Sequence, residues 1–271
     1  MARRIVLALA AICLAIFVYE AVLRLFLLPY VKLPAFFGNI HALTLFLLLF
    51  SLLHAAYALG TRHALLFFAL TAIISWGYEQ VGVATGWVYG AYHYTDVLGP
   101  KVGHVPALIP LAWFMMIYPS YVIANLISRG RPYGSGGTPG GVIWLALLSG
   151  AVMTAWDLVI DPILSAPNVR AWVWEQGGPY FDIPTRNFAG WMLTTVTVYL
   201  AYRLYEWRMP PPIGATSHAA AGLPLVAYGA MLCSDLLVGG PPALVVIAPF
   251  AMGTPLLIAI ERWWRCRAAA P

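Results

Sequence analysis

The chain has 271 residues, of which 62% are hydrophobic and only 9% are charged. Soluble domains carry about 25% charged residues, so this composition excludes an ordinary soluble protein and predicts a polytopic membrane protein. The net charge of +5 comes from scattered single basic residues without a basic patch, which argues against nucleic-acid binding. The three cysteines show no CxxC spacing, so they indicate neither a disulfide framework nor a metal site.

Apolar runs of about 20 residues, each long enough to cross the hydrocarbon core of a bilayer, follow one another along the chain. They predict an all-α membrane bundle with spans at residues 5–28, 40–59, 64–83, 105–127, 142–164, 187–205, 219–238 and 243–263. Only residues 239–242 separate the last two runs, so we predict seven to eight transmembrane helices. Residues 1–271 are expected to form a single integral membrane domain.

The basic residues indicate how the bundle is oriented. Ten of the fifteen lie on the side of both termini: Arg3, Arg4, Arg62, Arg129, Arg131, Arg203, Arg208, Arg262, Arg265 and Arg267. The positive-inside rule therefore predicts cytoplasmic termini. Four acidic residues lie near the opposite ends of spans: Glu79, Asp157, Asp161 and Asp235. An interfacial aromatic belt would explain Trp and Tyr at this end but not the carboxylates, so we expect the chemistry at the non-cytoplasmic end.

Residues 75–113 begin as a hydrophobic helix and then become irregular, with Gly82, Gly86, Gly90 and Gly99 among Trp, Tyr and His. At membrane depth, irregular backbone is tolerated only where protein buries it or where it lines a cavity. We therefore predict a pocket-forming segment after the third span, with Glu79 at its entrance. An extramembrane loop rich in turn residues is the alternative.

Asp157 and Asp161 are four residues apart and so face the same side of a helix. Two nearby carboxyl groups in a low-dielectric site leave one protonated and one ionised, which supplies an acid beside a base. Glu79 could join them from the third span. Asp161 could instead cap the helix end near Pro162, and Asp235 could be either a capping or a catalytic residue.

Several catalytic classes lack their signatures. The sequence contains no HxxxH or HxxHH cluster of the kind that binds the metals of di-iron enzymes. It also contains no GxGxxG motif after a strand, so it lacks the signature of a nucleotide-binding fold. Lys32 and Lys101, the only lysines, lie outside the spans, so a retinal Schiff base is excluded. We expect no metal and no cofactor, and either acid–base chemistry or binding in an aromatic pocket.

One stretch resembles the carotenoid 1′,2′-hydratase family, which includes the bisanhydrobacterioruberin and γ-carotene hydratases. The pattern is Glu79-x-x-Gly82-x-x-Thr85-Gly86-x-x-Tyr89-Gly90-x-Tyr92-x-Tyr94. Three later stretches strengthen the resemblance, namely residues 157–162, Trp172-x-Trp174 and residues 178–191. The resemblance runs through the third to sixth predicted spans.

The resemblance implies a carotenoid biosynthesis enzyme, a cofactor-independent hydro-lyase that adds water across the terminal C1′–C2′ double bond of an acyclic end group. Such a reaction needs a neutral carboxylic acid to protonate the alkene and a second carboxylate to deprotonate the water that attacks the tertiary carbocation. Our hypothesis makes Asp161 the acid and Asp157 or Glu79 the base, with exchangeable roles. Residues expected to bind substrate or stabilise the cation are Trp76, Trp87, Tyr89, Tyr92, Tyr94, Trp156, Asn187 and Trp191.

The expected partner is a carotenoid that enters from the bilayer of a bacterial or archaeal cell membrane, with other carotenoid biosynthesis enzymes as further candidates. The sequence is also compatible with two other functions. A cofactor-free cyclase or isomerase would pass through the same cation but exclude water. A non-catalytic lipid or carotenoid binder or transporter could also use broken helices around a pocket, although the chain halves show no internal repeat.

Overall fold

Eight helices make up most of the part of the chain that the structure describes. The computed structural model describes residues 2–212 and 216–268. Helix α1 consists of Ala2–Val18, a π-helical turn Tyr19–Leu23 and Arg24–Leu27. The next six helices are α2 (Ile40–Leu59), α3 (Thr61–Thr85), α4 (Leu108–Arg129), α5 (Pro139–Leu164), α6 (Thr185–Arg208) and α7 (His218–Val238). Helix α8 consists of Leu244–Ala248, a π-helical turn Pro249–Gly253 and Thr254–Ala268.

Seven of these helices are long and apolar enough to cross a membrane, which confirms the predicted all-α membrane bundle of seven to eight spans. The protein is therefore an integral membrane protein. Helix α6 is long enough but is not among the seven, because Arg186, Arg203, Glu206 and Arg208 lower its hydropathy.

Helix α4 is the centre of the bundle. All of residues 113–126 are buried, so this helix is enclosed by protein on every side over four turns. It packs against α2, α3, α5, α7 and α8. A helix placed in this way can hold side chains from several neighbours at fixed positions around its N-terminal end.

The ends of several helices follow from local chemistry. The Asn39 side chain accepts a hydrogen bond from Ala42 N at 2.9 Å and so caps α2, and Thr138 caps α5 in the same way, with Pro139 at its first position. Helix α3 ends at Gly86, whose positive φ of 67° favours glycine. The chain leaves α3 at this glycine and enters the irregular segment.

The irregular segment contains short strands. Strand β1 (Tyr92–Tyr94) pairs antiparallel with β4 (Trp172–Trp174), and β2 (Lys101–Val102) pairs with β3 (Val105–Pro106). The predicted start of the fourth span at residue 105 was therefore wrong: Val105–Pro106 is a strand, and α4 begins at Leu108. We call β1 and β4 together the aromatic ribbon. It joins the segment after α3 to the segment after α5.

The sequence predicts a cytoplasmic flank for Arg203, but its side chain is fully buried. The guanidinium lies 4.5 Å over the ring of Tyr121 and donates to Ser149 Oγ at 2.8 Å. Glu206, also buried, accepts a 2.6 Å hydrogen bond from the Tyr121 hydroxyl. This polar cluster lies inside the bundle, at the end opposite to the aromatic ribbon.

Candidate active site

A cavity of about 370 Å³ lies at the end of the bundle that carries the aromatic ribbon. The C-terminal parts of α3, α5 and α7, the N-terminal parts of α4 and α6, and the ribbon itself contribute to its wall. Parts of α1 and α2 close the opposite side. The cavity therefore collects side chains that are up to about two hundred residues apart along the chain.

Glu79 is buried in this cavity rather than placed at its entrance. Its Oε2 accepts hydrogen bonds from the hydroxyls of Tyr92 and Tyr94, the second at 2.8 Å. Its Oε1 accepts a 3.3 Å hydrogen bond from the indole of Trp113. Burial, together with the Glu79 carboxylate, raises the pKa of Tyr92 and Tyr94 well above the usual range of a phenol, so both stay protonated as donors. Three donors therefore favour the ionised form of Glu79.

Asp161 is likewise surrounded by donors. Its Oδ1 accepts hydrogen bonds from the indoles of Trp172 at 2.7 Å and Trp174 at 3.2 Å. Its Oδ2 accepts one from the Asn187 amide at 2.9 Å. An indole N–H can only donate, so this arrangement favours a carboxylate at Asp161.

Asp157 differs from these two acids. Its Oδ2 accepts a 2.7 Å hydrogen bond from the same Asn187 amide nitrogen, which therefore bridges Asp157 and Asp161. Its Oδ1 is buried and has no hydrogen-bond partner among the described residues. Of the three acids, Asp157 is therefore the one that can carry a proton, on its unpartnered Oδ1. We call Glu79, Asp157 and Asp161 the carboxylate cluster.

The aromatic ribbon explains how two of the acids obtain their donors. Side chains alternate between the two faces of a strand, so Tyr92 and Tyr94 share one face with their cross-strand partners Trp174 and Trp172. The tyrosines donate to Glu79 and the tryptophans to Asp161. One face of a two-stranded ribbon therefore supplies four donors to two carboxylates.

Three indoles form an aromatic layer beside the cluster. The rings of Trp113 and Trp191 stack with centroids 4.2 Å apart, and Trp156 meets Trp191 edge-on at 5.9 Å. All three line the cavity, and the faces of such rings attract cationic groups.

The structure brings together most of the residues predicted for the site. The cavity is lined by Glu79, Tyr89, Tyr92, Tyr94, Trp156, Asp157, Asp161, Asn187 and Trp191. Trp76 and Trp87 lie outside it, which corrects their predicted placement. Trp76 bonds to the carbonyl of Val102 near the surface, and Trp87 is 80% exposed, because the side chains of α3 and the turn after it at these positions point away from the bundle.

The cavity is also lined by residues that were not predicted for the site, among them Trp113, Trp172, Trp174 and Asp235. The alternation in Tyr92-x-Tyr94 and Trp172-x-Trp174 is typical of strands with one buried face and could have indicated the ribbon. Trp113 carries no such signal, whereas Asp235 could be recognised from the sequence as an acid near the end of a span. Asp235 does not cap α7, since it is buried against the cavity and the helix continues to Val238.

Among the described residues, no three or more His, Cys, Asp or Glu side chains are placed so that they could hold a metal ion. The three acids of the carboxylate cluster instead turn their oxygens towards Tyr, Trp and Asn donors. That the protein needs no cofactor stays a prediction.

Comparison with known proteins places these features in context. Residues 38–259 match a family described as carotenoid biosynthesis protein. The chain is 30% identical over 158 residues to a bisanhydrobacterioruberin hydratase of Haloarcula japonica, covering 58% of this chain and 50% of that protein. No solved structure matches the chain.

A second relative is a UDP-N-acetylglucosamine–N-acetylmuramyl-(pentapeptide) pyrophosphoryl-undecaprenol N-acetylglucosamine transferase of Salinibacter ruber. It is 29% identical over 110 residues, which cover 41% of this chain and 25% of that protein. The chain thus spans half or less of the length of these curated relatives.

Proposed function

The chain belongs to the carotenoid biosynthesis protein family, and on that premise we propose that it is a carotenoid hydratase. It adds water across the terminal C1′–C2′ double bond of an acyclic end group and yields a tertiary alcohol. The observation that carries the proposal is the unequal distribution of donors over the carboxylate cluster, within a cavity whose remaining wall is largely apolar and aromatic.

The donor pattern assigns the acid. Protonation of an alkene carbon needs a carboxylic acid that keeps its proton until the substrate arrives. Asp157 fits this role, because one of its oxygens accepts a single hydrogen bond and the other is free. The sequence-based hypothesis makes Asp161 the acid, but its three hydrogen-bond donors favour the ionised form, so we exchange the roles of Asp157 and Asp161.

The reaction then proceeds in two steps. Asp157 transfers its proton to C2′, and the positive charge develops at C1′, which carries two methyl groups. Water adds to C1′ and loses a proton to the Asp161 carboxylate. Transfer of that proton from Asp161 to Asp157 restores the starting state, so the balance is one alkene and one water giving one alcohol. Asn187 holds an oxygen of each acid and so keeps the two close together.

The cavity also suits the intermediate. A tertiary carbocation is stabilised by the faces of aromatic rings, and Trp113, Trp156 and Trp191 provide such faces. The ionised carboxylate of Glu79 lies in the same cavity, and its negative charge stabilises the positive charge that develops on the substrate. The low local dielectric strengthens both effects.

The substrate reaches the site from the bilayer in this proposal. A cavity of about 370 Å³ accommodates an end group, whereas the rest of a long polyene extends into lipid. The active site faces the non-cytoplasmic side of a bacterial or archaeal membrane, with both termini cytoplasmic. Reporter fusions at the two termini test the orientation: a signal from the non-cytoplasmic side at either end would contradict it.

The function is tested in a bacterial host that accumulates acyclic carotenoids. Expression of the chain is expected to produce a more polar pigment that is heavier by one water. A new pigment of unchanged mass would indicate a cyclase or isomerase instead. Unchanged pigments, with the protein present in the membrane and the substrate present in the cell, would favour a non-catalytic binder.

A further inference from the structure

The wall of the cavity is incomplete on one side. Among the described residues that line the cavity, three are exposed: Gly38 in the connection between α1 and α2, Val97 after β1, and Val238 at the end of α7. The carboxylate cluster, in contrast, is buried. A residue that lines a cavity and is also exposed marks a place where the cavity opens to its surroundings.

The three exposed positions belong to neighbouring parts of the fold. Helix α7 packs against the π-helical turn and the last turn of α1, after which the α1–α2 connection (residues 28–39) begins. At the start of α2, His41 Nε2 lies 3.4 Å from the place that a Cβ atom would take at Gly99, two residues after Val97. Gly38, Val97 and Val238 therefore form the rim of one opening, which we call the portal.

The α1–α2 connection beside the portal is apolar on its outer side. Tyr30, Val31 and Phe36 are each more than half exposed, and so is Val238 on the opposite rim. Exposed apolar side chains in such number mark a surface that contacts a membrane or a partner, and this protein is an integral membrane protein. An apolar chain can therefore extend from the cavity through the portal into lipid.

Glu20 holds one rim of the portal in place. It is buried in the π-helical turn of α1, and its Oε1 accepts hydrogen bonds from the backbone N–H groups of Phe36 at 2.7 Å and Phe37 at 3.0 Å. Its Oε2 accepts one from Arg24 Nε at 3.0 Å. A Cβ atom at Gly38 would lie 2.8 Å from Arg24 Nη2. The Glu20–Arg24 pair thus fixes the backbone that carries Gly38, where the absence of a side chain keeps the rim open.

A second groove, between α3 and α6, does not offer the same route. Its wall includes Gly190, and the ring of Tyr89 lies between Gly190 and the cavity. Tyr89 is buried, and its hydroxyl is hydrogen-bonded to Thr194 at 2.8 Å. A chain that left the cavity on this side would have to displace Tyr89.

We propose that the portal is the binding site for the polyene chain of the substrate, with Glu20 as a positioning residue for its rim. The inference rests on the proposed hydratase function and specifies the substrate class, an end group followed by a long apolar chain. The end group occupies the cavity of about 370 Å³, and the chain behind it passes between Gly38, Val97 and Val238. A short isoprenoid would occupy the cavity alone.

The first test compares two substrates with the same terminal double bond. One is an acyclic hydrocarbon carotenoid, and the other is a short acyclic isoprenoid that fits within the cavity. Turnover is measured with the full-length protein in membranes, for the wild type and for Val238→Trp, which places a larger side chain in the portal. Val226→Trp is the matched control, since Val226 is exposed on the same helix and does not line the cavity.

We expect Val238→Trp to lower kcat/KM for the carotenoid by about fivefold to 100-fold, the effect of overpacking a binding site. Hydration of the short isoprenoid should be retained, and Val226→Trp should change neither reaction. Equal losses on both substrates in Val238→Trp, or no loss on either, would overturn the portal. A loss restricted to the carotenoid in Leu193→Trp, in the groove between α3 and α6, would place the polyene there instead.

The role of Glu20 is tested by the same ratio of the two substrates. Glu20→Ala removes the acceptor of both backbone N–H groups, and we expect it to lower turnover of the carotenoid more than that of the short isoprenoid. Glu20→Gln keeps an acceptor oxygen and should restore much of the ratio. Equal losses on both substrates would assign Glu20 a purely structural role. Val238→Trp leaves this pair intact and so tests the portal independently of it.

A labelling experiment separates failure of the portal from failure of the proposed function. The three native cysteines are replaced by serine, and Val238→Cys and Val226→Cys are each introduced into this background for modification by a maleimide. The carotenoid should protect Val238→Cys but not Val226→Cys, and the short isoprenoid should protect neither. Absence of protection by the carotenoid at Val238→Cys would overturn the portal even if the wild type hydrates it. Protection without hydration of either substrate would contradict the hydratase function and keep the portal as a binding site.

Discussion

Tyr92 and Trp174 face each other across the aromatic ribbon, yet they donate hydrogen bonds to different carboxylates. Tyr92 donates to Glu79 on α3, and Trp174 donates to Asp161 on α5. Their rings are also in contact, with centroids 5.0 Å apart. The ribbon thus couples two acids from separate helices, so that their separation depends on strand pairing as well as on helix packing.

The assignment of Asp157 as the acid and Asp161 as the base can be tested in deuterated water. Asp157→Asn removes the proton donor, and we expect a loss of hydration of about 100-fold to 10,000-fold, with no deuterium in recovered substrate. Asp161→Asn should also lower hydration, but the cation still forms and can lose a proton again. Recovered substrate from Asp161→Asn should therefore contain deuterium, measured by mass spectrometry.

The exposed acid Asp96 provides the control, since its replacement by Asn should leave hydration unchanged. Deuterium uptake by Asp157→Asn and none by Asp161→Asn would reverse the assignment.

The indole donors of the ribbon should be needed for activity. Trp172→Phe and Trp174→Phe preserve an aromatic ring but remove a hydrogen bond to the Asp161 carboxylate. A hydrogen bond to a charged group contributes about 1.5–3 kcal/mol, so we expect a loss of about tenfold or more in each variant. The Trp172 variant should lose more, because its hydrogen bond is shorter. Trp87→Phe, at an 80% exposed position, should retain wild-type turnover, and a loss there equal to that of the ribbon variants would contradict this explanation.

Tyr89 is predicted to set how closely α3 and α6 approach each other. A Cβ atom added at Gly190 would lie 2.5 Å from Tyr89 Cδ1 and 2.6 Å from the carbonyl oxygen of Val88. Gly190→Ala should therefore lower the free energy of unfolding by about 1–3 kcal/mol, as overpacking does elsewhere. Thermal unfolding in detergent measures this.

Gly77 supplies the matched comparison, since nothing lies within 4 Å of a Cβ atom at that position. Gly77→Ala should be neutral or stabilising by about 0.5–1 kcal/mol, because alanine favours a helix interior. Equal effects of the two substitutions would show that the close approach at Tyr89 does not limit the packing.

The buried cluster around Arg203 should determine stability rather than turnover. Arg203→Ala removes the buried cation that interacts with Glu206, and we expect the unfolding free energy to fall by about 3–5 kcal/mol. The double variant Arg203→Met with Glu206→Leu should recover much of this loss, because it removes both charges. Arg208→Ala, at an exposed position, is the control. A double variant no more stable than Arg203→Ala would contradict the account.

Much of the architecture follows from the sequence because its signals are local. Apolar runs of sufficient length predict spans wherever they occur, and the bounds of α2 and α7 agree with the prediction to within a residue. Asp157 and Asp161 could be placed on one helix face from their spacing alone. The ribbon residues could be quoted as motifs, but their pairing joins segments about eighty residues apart, and no local pattern specifies which strands pair.

The sequence by itself determined the bundle of apolar helices, the shared face of Asp157 and Asp161 and the accumulation of acids at one end. Only the tertiary structure decided which polar atoms are satisfied. Ionisation of a buried acid depends on its donors, and those of Glu79 and Asp161 come from other elements of the fold. For the same reason only the packed structure leaves Asp157 Oδ1 without a partner among the described residues, and this atom carries the proposed acid chemistry.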